Sequence, residues 1–269
     1  MATSTPVQRI YDSTQWVESA GCILFDFRNT GFNPLTAPVP STTTTTTTTT
    51  ATSPSPSPSP ISGLGSLPTP PHLTEEPKIV LFYSNPRNQY LLPKGRRNIG
   101  ESRADAALRE TFEETGLKCS LLPVTLHSRA TSVNPADDRT TAGGYTVDEP
   151  RTFTRATQPF MCMVRRLNSR RGRDHTAADG SIARQVEEFV PKHVAELGGV
   201  GEVTKMIWWY VGVVDEDQGS EEEVEGRVVE PGCEVCSVGM REAMDRCSDR
   251  DDGVVVRRAV EVVSETFGL

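Results

Sequence analysis

The sequence has no excess of positive charge and no long apolar run, and both absences restrict its class. Its 28 Lys and Arg residues are outnumbered by 36 Asp and Glu residues, which gives a formal net charge of −8. A general affinity for nucleic acid or for an anionic membrane requires a basic surface, so neither is expected. No segment is long and apolar enough to span a bilayer. Any site for an anion must therefore be a local one.

Cysteine is scarce and irregularly spaced. Residues 1–20 contain no apolar run preceded by positive charge, so no secretory signal is predicted. The spacing of the thiols fits reduced cysteines better than a disulfide framework. The six cysteines stand at positions 22, 119, 162, 233, 236 and 247. Cys233 and Cys236 suggest zinc, but a structural zinc site needs four ligands, and neither Cys247 nor a distant His completes one. The sequence predicts a cytoplasmic protein, with the nucleus as the alternative.

A low-complexity segment interrupts the chain. Residues 41–50 are almost all Thr, and residues 53–60 alternate Ser with Pro. Such a composition cannot bury enough apolar surface to offset its ordering entropy. We expect one domain over residues 1–269 with a disordered insert at about 36–74. The insert is either a docking segment phosphorylated at its Ser-Pro dipeptides, with an unknown protein partner, or a surface insertion that costs little loop-closure free energy.

The remaining sequence mixes predicted strands with a few predicted helices. Apolar runs rich in Val, Ile and aromatic residues predict strands at 21–27, 78–83, 160–164 and 206–214. Apolar residues at three- and four-residue spacing predict helices at 102–115, where Gly116 ends the helix, and at 253–267. Polar or glycine-bearing stretches predict loops at 128–158, 168–202 and 215–232. This mixture indicates an α/β or α+β layered fold.

The most informative segment is 95–117, GRRNIGESRADAALRETFEETGL. On a helix Glu110, Glu113 and Glu114 stand at i, i+3 and i+4, so their carboxylates project from one side and repel each other. A divalent cation relieves that repulsion, and Mg²⁺ prefers hard oxygen ligands and shares its shell with substrate phosphates. Arg109 reaches Glu113 at i+4 and can orient its carboxylate. The segment therefore predicts a magnesium site on a helix, with Mn²⁺ as the alternative cation.

This segment resembles the signature of the Nudix hydrolase family. The family pattern is Gly, five residues, Glu, seven residues, Arg-Glu, an apolar residue, any residue, Glu-Glu, any residue, Gly and an apolar residue. Thr111 is the one departure, at a position that is usually aliphatic. The resemblance implies an α/β/α sandwich with a mixed sheet and a catalytic loop-helix-loop. It also implies a metal-dependent enzyme that cleaves a diphosphate bond in a small phosphorylated substrate.

The signature helix has two other interpretations. An ordinary amphipathic helix with an acidic solvent face would need no glycine upstream. A Nudix fold that serves only as a binding module normally has a substituted Arg or Glu in the signature. No such substitution is present here, so the sequence favours an enzyme.

The signature also suggests a role for each residue. Glu110 and Glu114, with the Gly95 carbonyl, would hold Mg²⁺, and Glu113 is placed among the ligands as well. Gly95 is expected to let the backbone turn tightly. Glu113, oriented by Arg109, is the predicted general base, and Glu101 is either an alternative base or a brace for the loop.

Residues near the signature suggest two substrate groups. The opening Arg-Ile-Tyr-Asp at 9–12 and Ser-Ala-Gly-Cys at 19–22 resemble diphosphoinositol polyphosphate phosphohydrolases, and the lead-in Leu-Pro-Lys-Gly is also similar to diadenosine polyphosphate hydrolases. Val17 and Glu18 depart from the first group, whose animal members are basic there. Carried over by position, the residues predicted to contact substrate phosphates are Arg9, Ser19, Lys94, Arg96 and Arg97.

Three further hypotheses concern substrate recognition. Other substrates containing a nucleoside diphosphate, and the cap of messenger RNA, are alternatives, although the acidic pI argues against the second. The aromatic run at 208–210 could stack on a nucleobase. Strand alternation would place Trp208 and Tyr210 on one face and Trp209 on the other, so core packing can account for all three.

Overall fold

The computed structural model describes residues 13, 15–37, 73–132, 138–167, 203–218, 232–247 and 250–269. Within these residues it contains strands β1 (Trp16–Asp26), β2 (Lys78–Ser84), β3 (Gln89–Leu91), β4 (Lys94–Arg96), β5 (Cys119–Leu121), β6 (Val124–Ser128), β7 (Arg151–Ala156), β8 (Met161–Leu167), β9 (Val203–Val214) and β10 (Cys233–Gly239), and helices α1 (Arg103–Thr115), α2 (Met240–Arg246) and α3 (Arg250–Phe267). No helix in these ranges is long and apolar enough to cross a membrane.

Eight of the strands form one mixed sheet. The path runs β10-β2-β1-β9-β5, with β3 on β2, β4 on β1 and β8 on β9, and β6 pairs separately with β7. The two central strands, β1 and β9, are parallel from Trp16 opposite Thr204 to Phe25 opposite Val213. The other pairs in the sheet are antiparallel. The mixed sheet predicted from the resemblance is confirmed.

Helices cover both faces of this sheet. On one face Ala106 and Ala107 of α1 pack against Ala20, Cys22 and Tyr210. On the other face the apolar side of α3 packs in the larger core, whose members include Ile23, Phe25, Trp209, Val255 and Val263. Strand β1 is buried on both sides, and such strands read as near-continuous apolar runs. The predicted α/β/α sandwich is thereby confirmed.

The aromatic run in β9 divides between the two faces as its alternation predicts. Trp209 is 0% exposed and belongs to the core under α3. Tyr210 and Trp208 lie on the α1 side. Core packing explains Trp209 and Tyr210, whereas Trp208 has polar partners that are described with the site.

Seven elements of the described structure lie where the sequence predicted a loop or nothing: the short strands β3, β4, β5 and β6, the strands β7 and β10, and helix α2. Strand β7 falls inside the predicted loop 128–158. Its residues are only partly buried, and they form a strand by pairing with β6. Strand β10 pairs with β2 along its whole length, and α2 follows it directly. Two predicted loops, 168–202 and most of 215–232, lie outside the described residues.

The zinc hypothesis for Cys233 and Cys236 does not fit the strand that holds them. Three residues apart on β10, the two side chains project to opposite faces. The Cys236 thiol lies 3.5 Å from the Leu81 carbonyl oxygen of β2. Across the described ranges, no group of three or more His, Cys, Asp or Glu side chains is arranged to hold a metal.

Residues at both edges of the predicted insert are hydrogen-bonded to the residues that precede it. The Ala37 amide donates to the Asn33 carbonyl at 3.2 Å. The Thr74 amide donates to the Thr30 carbonyl at 2.9 Å, and the Thr74 hydroxyl donates to the Asn29 carbonyl at 3.0 Å. Residues 36–37 and 73–74 therefore belong to the domain, and the remaining insert, 38–72, lies outside the described residues.

Replacing residues 38–72 by a linker of about eight Gly and Ser residues is expected to leave the melting temperature within about 5 °C of the parent. Loop-closure free energy changes by only about 0.6 kcal/mol for each doubling of loop length, and about 1 kcal/mol shifts Tm by 2–4 °C in a domain of this size. Thermal unfolding followed by circular dichroism measures the change. A fall of roughly 10 °C would show that the insert is part of the folded core.

Candidate active site

Helix α1 begins and ends at well-formed caps and is fixed to the central strand. The Ser102 hydroxyl accepts a hydrogen bond from the Asp105 amide at 3.1 Å, and Gly116 closes the helix with φ 70°. The Thr111 hydroxyl accepts from the Cys22 amide of β1 at 3.3 Å and donates to the Ala107 carbonyl at 2.7 Å. Thr111, the one departure from the signature, therefore has a structural role an aliphatic side chain could not fill. The carboxylates stand on a rigid element.

Gly95 is required for space rather than for a turn. It lies in β4 opposite Ala20 of β1, and its φ is outside the left-handed region. A Cβ atom on Gly95 would lie 1.7 Å from Glu110 Oε2 and 2.0 Å from Glu110 Cδ. The Glu110 carboxylate thus occupies the place of the missing side chain, and the expectation that Gly95 provides a tight turn was wrong. Burial raises the pKa of Glu110, and the hydrogen bond from Arg109 only partly offsets this.

Arg109 connects three of the signature carboxylates. Its guanidinium donates to both oxygens of Glu101, at 2.7 and 3.0 Å, to Glu110 Oε1 at 2.8 Å and to Glu113 Oε2 at 2.9 Å. It also donates to the Arg96 carbonyl at 2.9 Å. The hydrogen bonds from Arg109 to Glu101 and Glu110 raise the arginine's pKa, so it stays charged. The predicted contact with Glu113 is present, and Arg109 also offsets the charge of Glu101 and Glu110.

The remaining glutamates have different surroundings. Glu101 receives the Arg109 fork and the Asn98 amide, at 2.9 Å, and mainly the bond to Arg109 lowers its pKa. The Glu113 side chain is 34% exposed, compared with 14% for Glu101. Glu114 Oε2 accepts from the Lys94 amide at 2.8 Å. Glu101 is therefore held by Arg109 on α1 and by the Asn98 amide in the loop before α1. Glu113 has a hydrogen bond from Arg109 and is more accessible to solvent.

The three helical carboxylates have the oxygen donors that a hard divalent cation prefers, but in this arrangement they are paired with protein groups and are not gathered around one point. Glu110, Glu113 and Glu114 offer only oxygen ligands from one side of α1, and the first of them sits in a space that only Gly95 leaves open. Their present partners are Arg109 and the Lys94 amide. Binding a cation would require them to exchange some of these partners for the metal.

The side chains predicted to contact phosphates do not all lie on the α1 side of the sheet. Opposite residues of an antiparallel pair project to the same face, and β4 pairs Arg96 with Ser19 and Lys94 with Gly21. Because Ala20 faces α1, the side chains of Ser19, Lys94 and Arg96 project to the other face. The Ser19 hydroxyl is buried, with no hydrogen-bond partner in the described part of the chain. Arg9 lies outside the described residues.

Arg97 faces a group of residues that the sequence did not connect. Its Nε donates to Glu18 Oε2 at 2.8 Å, and its Nη1 donates to the Glu101 carbonyl at 2.8 Å. Arg103 Nε also donates to Glu18, at 2.8 Å, and its guanidinium lies 4.1 Å from the centre of the Trp208 ring. These residues are separated by up to 190 positions. The sequence marked Glu18 only as a departure from a related group, and nothing in it indicated these partners.

Residues 73–165, which include the loop-helix-loop with the signature, match the family model described as the NUDIX domain. The central strands β1 and β9 lie outside the matched segment and complete its sheet. No curated protein matches the chain.

Several solved structures are similar to the chain at low sequence identity. An Ap4A hydrolase of C. elegans in a binary complex has 10% identity, with 92% of this chain and 98% of that chain covered and a TM-score of 0.38. The Nudix hydrolase RenU from M. smegmatis has 10% identity, coverages of 93% and 88%, and a TM-score of 0.37. A mutT/nudix family protein from Listeria innocua has 14% identity, coverages of 93% and 96%, and a TM-score of 0.36.

Proposed function

We propose that this protein is a magnesium-dependent hydrolase of diphosphate bonds in small phosphorylated molecules, with diphosphoinositol polyphosphates and diadenosine polyphosphates as its candidate substrates. One observation carries the proposal. The Glu110 carboxylate lies in the space left by Gly95, and Arg109 links it to Glu101 and Glu113. A helix that merely exposed acidic residues to solvent would require neither the glycine nor the shared arginine.

In this proposal Glu110, Glu114 and the Gly95 carbonyl hold the cation, with Glu113 beside them. A Mg²⁺ ion held there would offset the negative charge that develops on the phosphate in the transition state. Mn²⁺ shares the preference for carboxylate, carbonyl and water ligands and is the alternative. The Arg109 contacts keep the free carboxylates from repelling each other before the cation binds.

Glu113 is the proposed general base. A base must reach the water it deprotonates, and Glu113 is the more exposed of the two candidates. Glu101 is the less suitable candidate because Arg109 and the Asn98 amide already use its oxygens. We assign Glu101 to holding Arg109 and the loop before α1, which in turn orients Glu113.

The proposed contacts with substrate phosphates are Lys94, Arg96, Arg97, Ser19 and Arg9. Those of Ser19, Lys94 and Arg96 would be made from the face of β1 and β4 opposite α1. Arg96 is exposed, and an Arg fork matches phosphate oxygens in two places. The cap of messenger RNA and other substrates containing a nucleoside diphosphate are less favoured alternatives, the first because the chain has a net charge of −8.

Product release from both candidate substrates tests the proposed function. The purified chain is incubated with a diphosphoinositol polyphosphate or a diadenosine polyphosphate, with Mg²⁺ or with EDTA, and products are separated by anion exchange. We expect turnover of at least one substrate with Mg²⁺ and none with EDTA. Absence of turnover on both would overturn the substrate assignment, and turnover in EDTA would overturn the metal dependence.

Glu110→Gln and Glu114→Gln are expected to raise the Mg²⁺ concentration for half-maximal activity by at least about tenfold, because each removes a charged ligand. Activity should recover partly at high Mg²⁺. Glu261→Gln provides the matched control, since this exposed carboxylate pairs with Arg258 on α3. An unchanged Mg²⁺ requirement in both site variants would contradict the ligand assignment.

A further inference from the structure

A buried carboxylate, Glu18, lies beside the candidate active site and is neither a metal ligand nor a general base in the proposed function. The Glu18 side chain is 5% exposed. One of its oxygens accepts from Arg97 Nε at 2.8 Å, and the other accepts from Arg103 Nε at 2.8 Å, Arg103 Nη2 at 2.5 Å and Trp208 Nε1 at 3.1 Å. The two guanidinium groups are therefore held by one acid.

Both arginines belong to the surroundings of the signature carboxylates. Arg103 and Glu110 are seven residues apart on α1, which is about two turns, so they share a helix face about 10 Å apart. Arg97 donates to the Glu101 carbonyl, and the Glu101 carboxylate is bonded to Arg109. The arginines thus flank the site along the start of α1.

Exposure and charge decide what the two arginines can contribute. The Arg103 and Arg97 side chains are 45% and 27% exposed, so an anion in solution can approach them. Glu18 offsets one of their two positive charges and takes up Nε of both guanidinium groups and Nη2 of Arg103. Hydrogen bonds from Arg103, Arg97 and Trp208 together outweigh burial and lower the pKa of Glu18, so it stays ionised at neutral pH.

We propose that Glu18 sets the charge selectivity of this active site by neutralising Arg97 and Arg103. The site then favours substrates with fewer phosphates, such as a diadenosine polyphosphate, over a densely phosphorylated diphosphoinositol polyphosphate. This inference rests on the proposed function for its substrates. Its central test is a binding measurement, which does not depend on turnover.

The test measures binding of inositol hexakisphosphate, a polyanion without a diphosphate bond, by calorimetry in Mg²⁺-free buffer. Glu18→Gln keeps the side-chain volume and removes the charge, so its Kd is expected to be about tenfold lower than that of the parent. The ratio of kcat/KM for the diphosphoinositol substrate to that for the dinucleotide should rise by a similar factor. Glu261→Gln makes the same change in net charge on α3 and should stay within about twofold.

Arg103 separates charge selectivity from a purely structural role. With Glu18 present, Arg103→Gln should weaken binding by less than about threefold, because that charge is already balanced. When Arg103→Gln is added to Glu18→Gln, it should remove most of the gain in affinity for inositol hexakisphosphate. If Glu18 only held the two arginines in place, Glu18→Gln would lower the stability of the fold without raising its affinity for the polyanion.

Three results would overturn the inference. The first is a folded Glu18→Gln variant whose Kd is unchanged or higher, and the second is an equal gain in Glu261→Gln. The third applies even where Glu18→Gln does not fold: a loss of about tenfold or more in the single Arg103→Gln variant would show that Arg103 already binds the polyanion. Absence of hydrolysis by the parent would overturn the proposed function alone, since the binding comparison would remain.

Discussion

Glu113→Gln is expected to lower kcat by about a hundredfold or more while the fold remains intact, as loss of a general base requires. The amide has nearly the volume of the carboxylate, and its oxygen can still accept from Arg109 Nη1, the one hydrogen bond that Glu113 receives from this arginine. Because the side chain is one-third exposed, the change should cost little stability. The measurements are single-turnover kinetics at saturating Mg²⁺ and thermal unfolding.

Glu101→Gln distinguishes the two candidate bases. An amide at position 101 would direct a donor at Arg109 or at the Asn98 amide, both of which donate to the carboxylate. We expect Tm to fall, together with a smaller loss in kcat than that of Glu113→Gln. Near-normal kcat in Glu113→Gln combined with a hundredfold loss in Glu101→Gln would assign the base to Glu101 instead.

Gly95→Ala is expected to reduce kcat/KM by about a hundredfold or more and to lower Tm. The added Cβ would lie 1.7 Å from Glu110 Oε2, and β4 cannot retreat easily because it pairs with β1. Overpacking of this kind costs about 1–3 kcal/mol. Glu110 would have to leave its position, so the proposed metal site would lose a ligand.

A control and a double variant distinguish this effect from general damage to the fold. Gly143→Ala makes the same change where the nearest side-chain atoms are at an ordinary 3.4 Å, on the Tyr145 ring, and should alter neither Tm nor activity. Adding Glu110→Ala to Gly95→Ala should restore much of the Tm, because it removes the clash, but not the activity. If Gly95→Ala retained parental activity, the Glu110 carboxylate would not be required beside Gly95.

The sequence by itself determined the helix that carries the signature and the residues that begin and end it. Ser102, Gly116 and the i, i+3, i+4 glutamates are local features, and a helix places such residues with little help from the rest of the chain. The contact between Arg109 and Glu113 follows from the same spacing. Apolar runs located the central strands, since strands covered on both faces keep a continuous apolar pattern.

Strands β7 and β10 form by pairing with strands that the sequence pattern did not connect to them. The polar sequence of β7, RTFTRA, is half exposed and becomes a strand only through its pairing with β6. Strand β10 is ordered by β2, from which it is distant in the sequence. Hydrophobic periodicity is weak in such strands, because only part of one face is buried, and this left both out of the prediction.

Only the tertiary structure decided why position 95 is glycine and which groups surround the site. The Glu110 carboxylate reaches Gly95 because α1 packs across the β1–β4 pair, which no local rule contains. Parallel pairing of β1 with β9 sets Glu18 opposite Met206, and so brings its carboxylate to Trp208 and the start of α1. A sequence specifies which charges a chain has, but the balance of charge at a site depends on which elements the fold brings together.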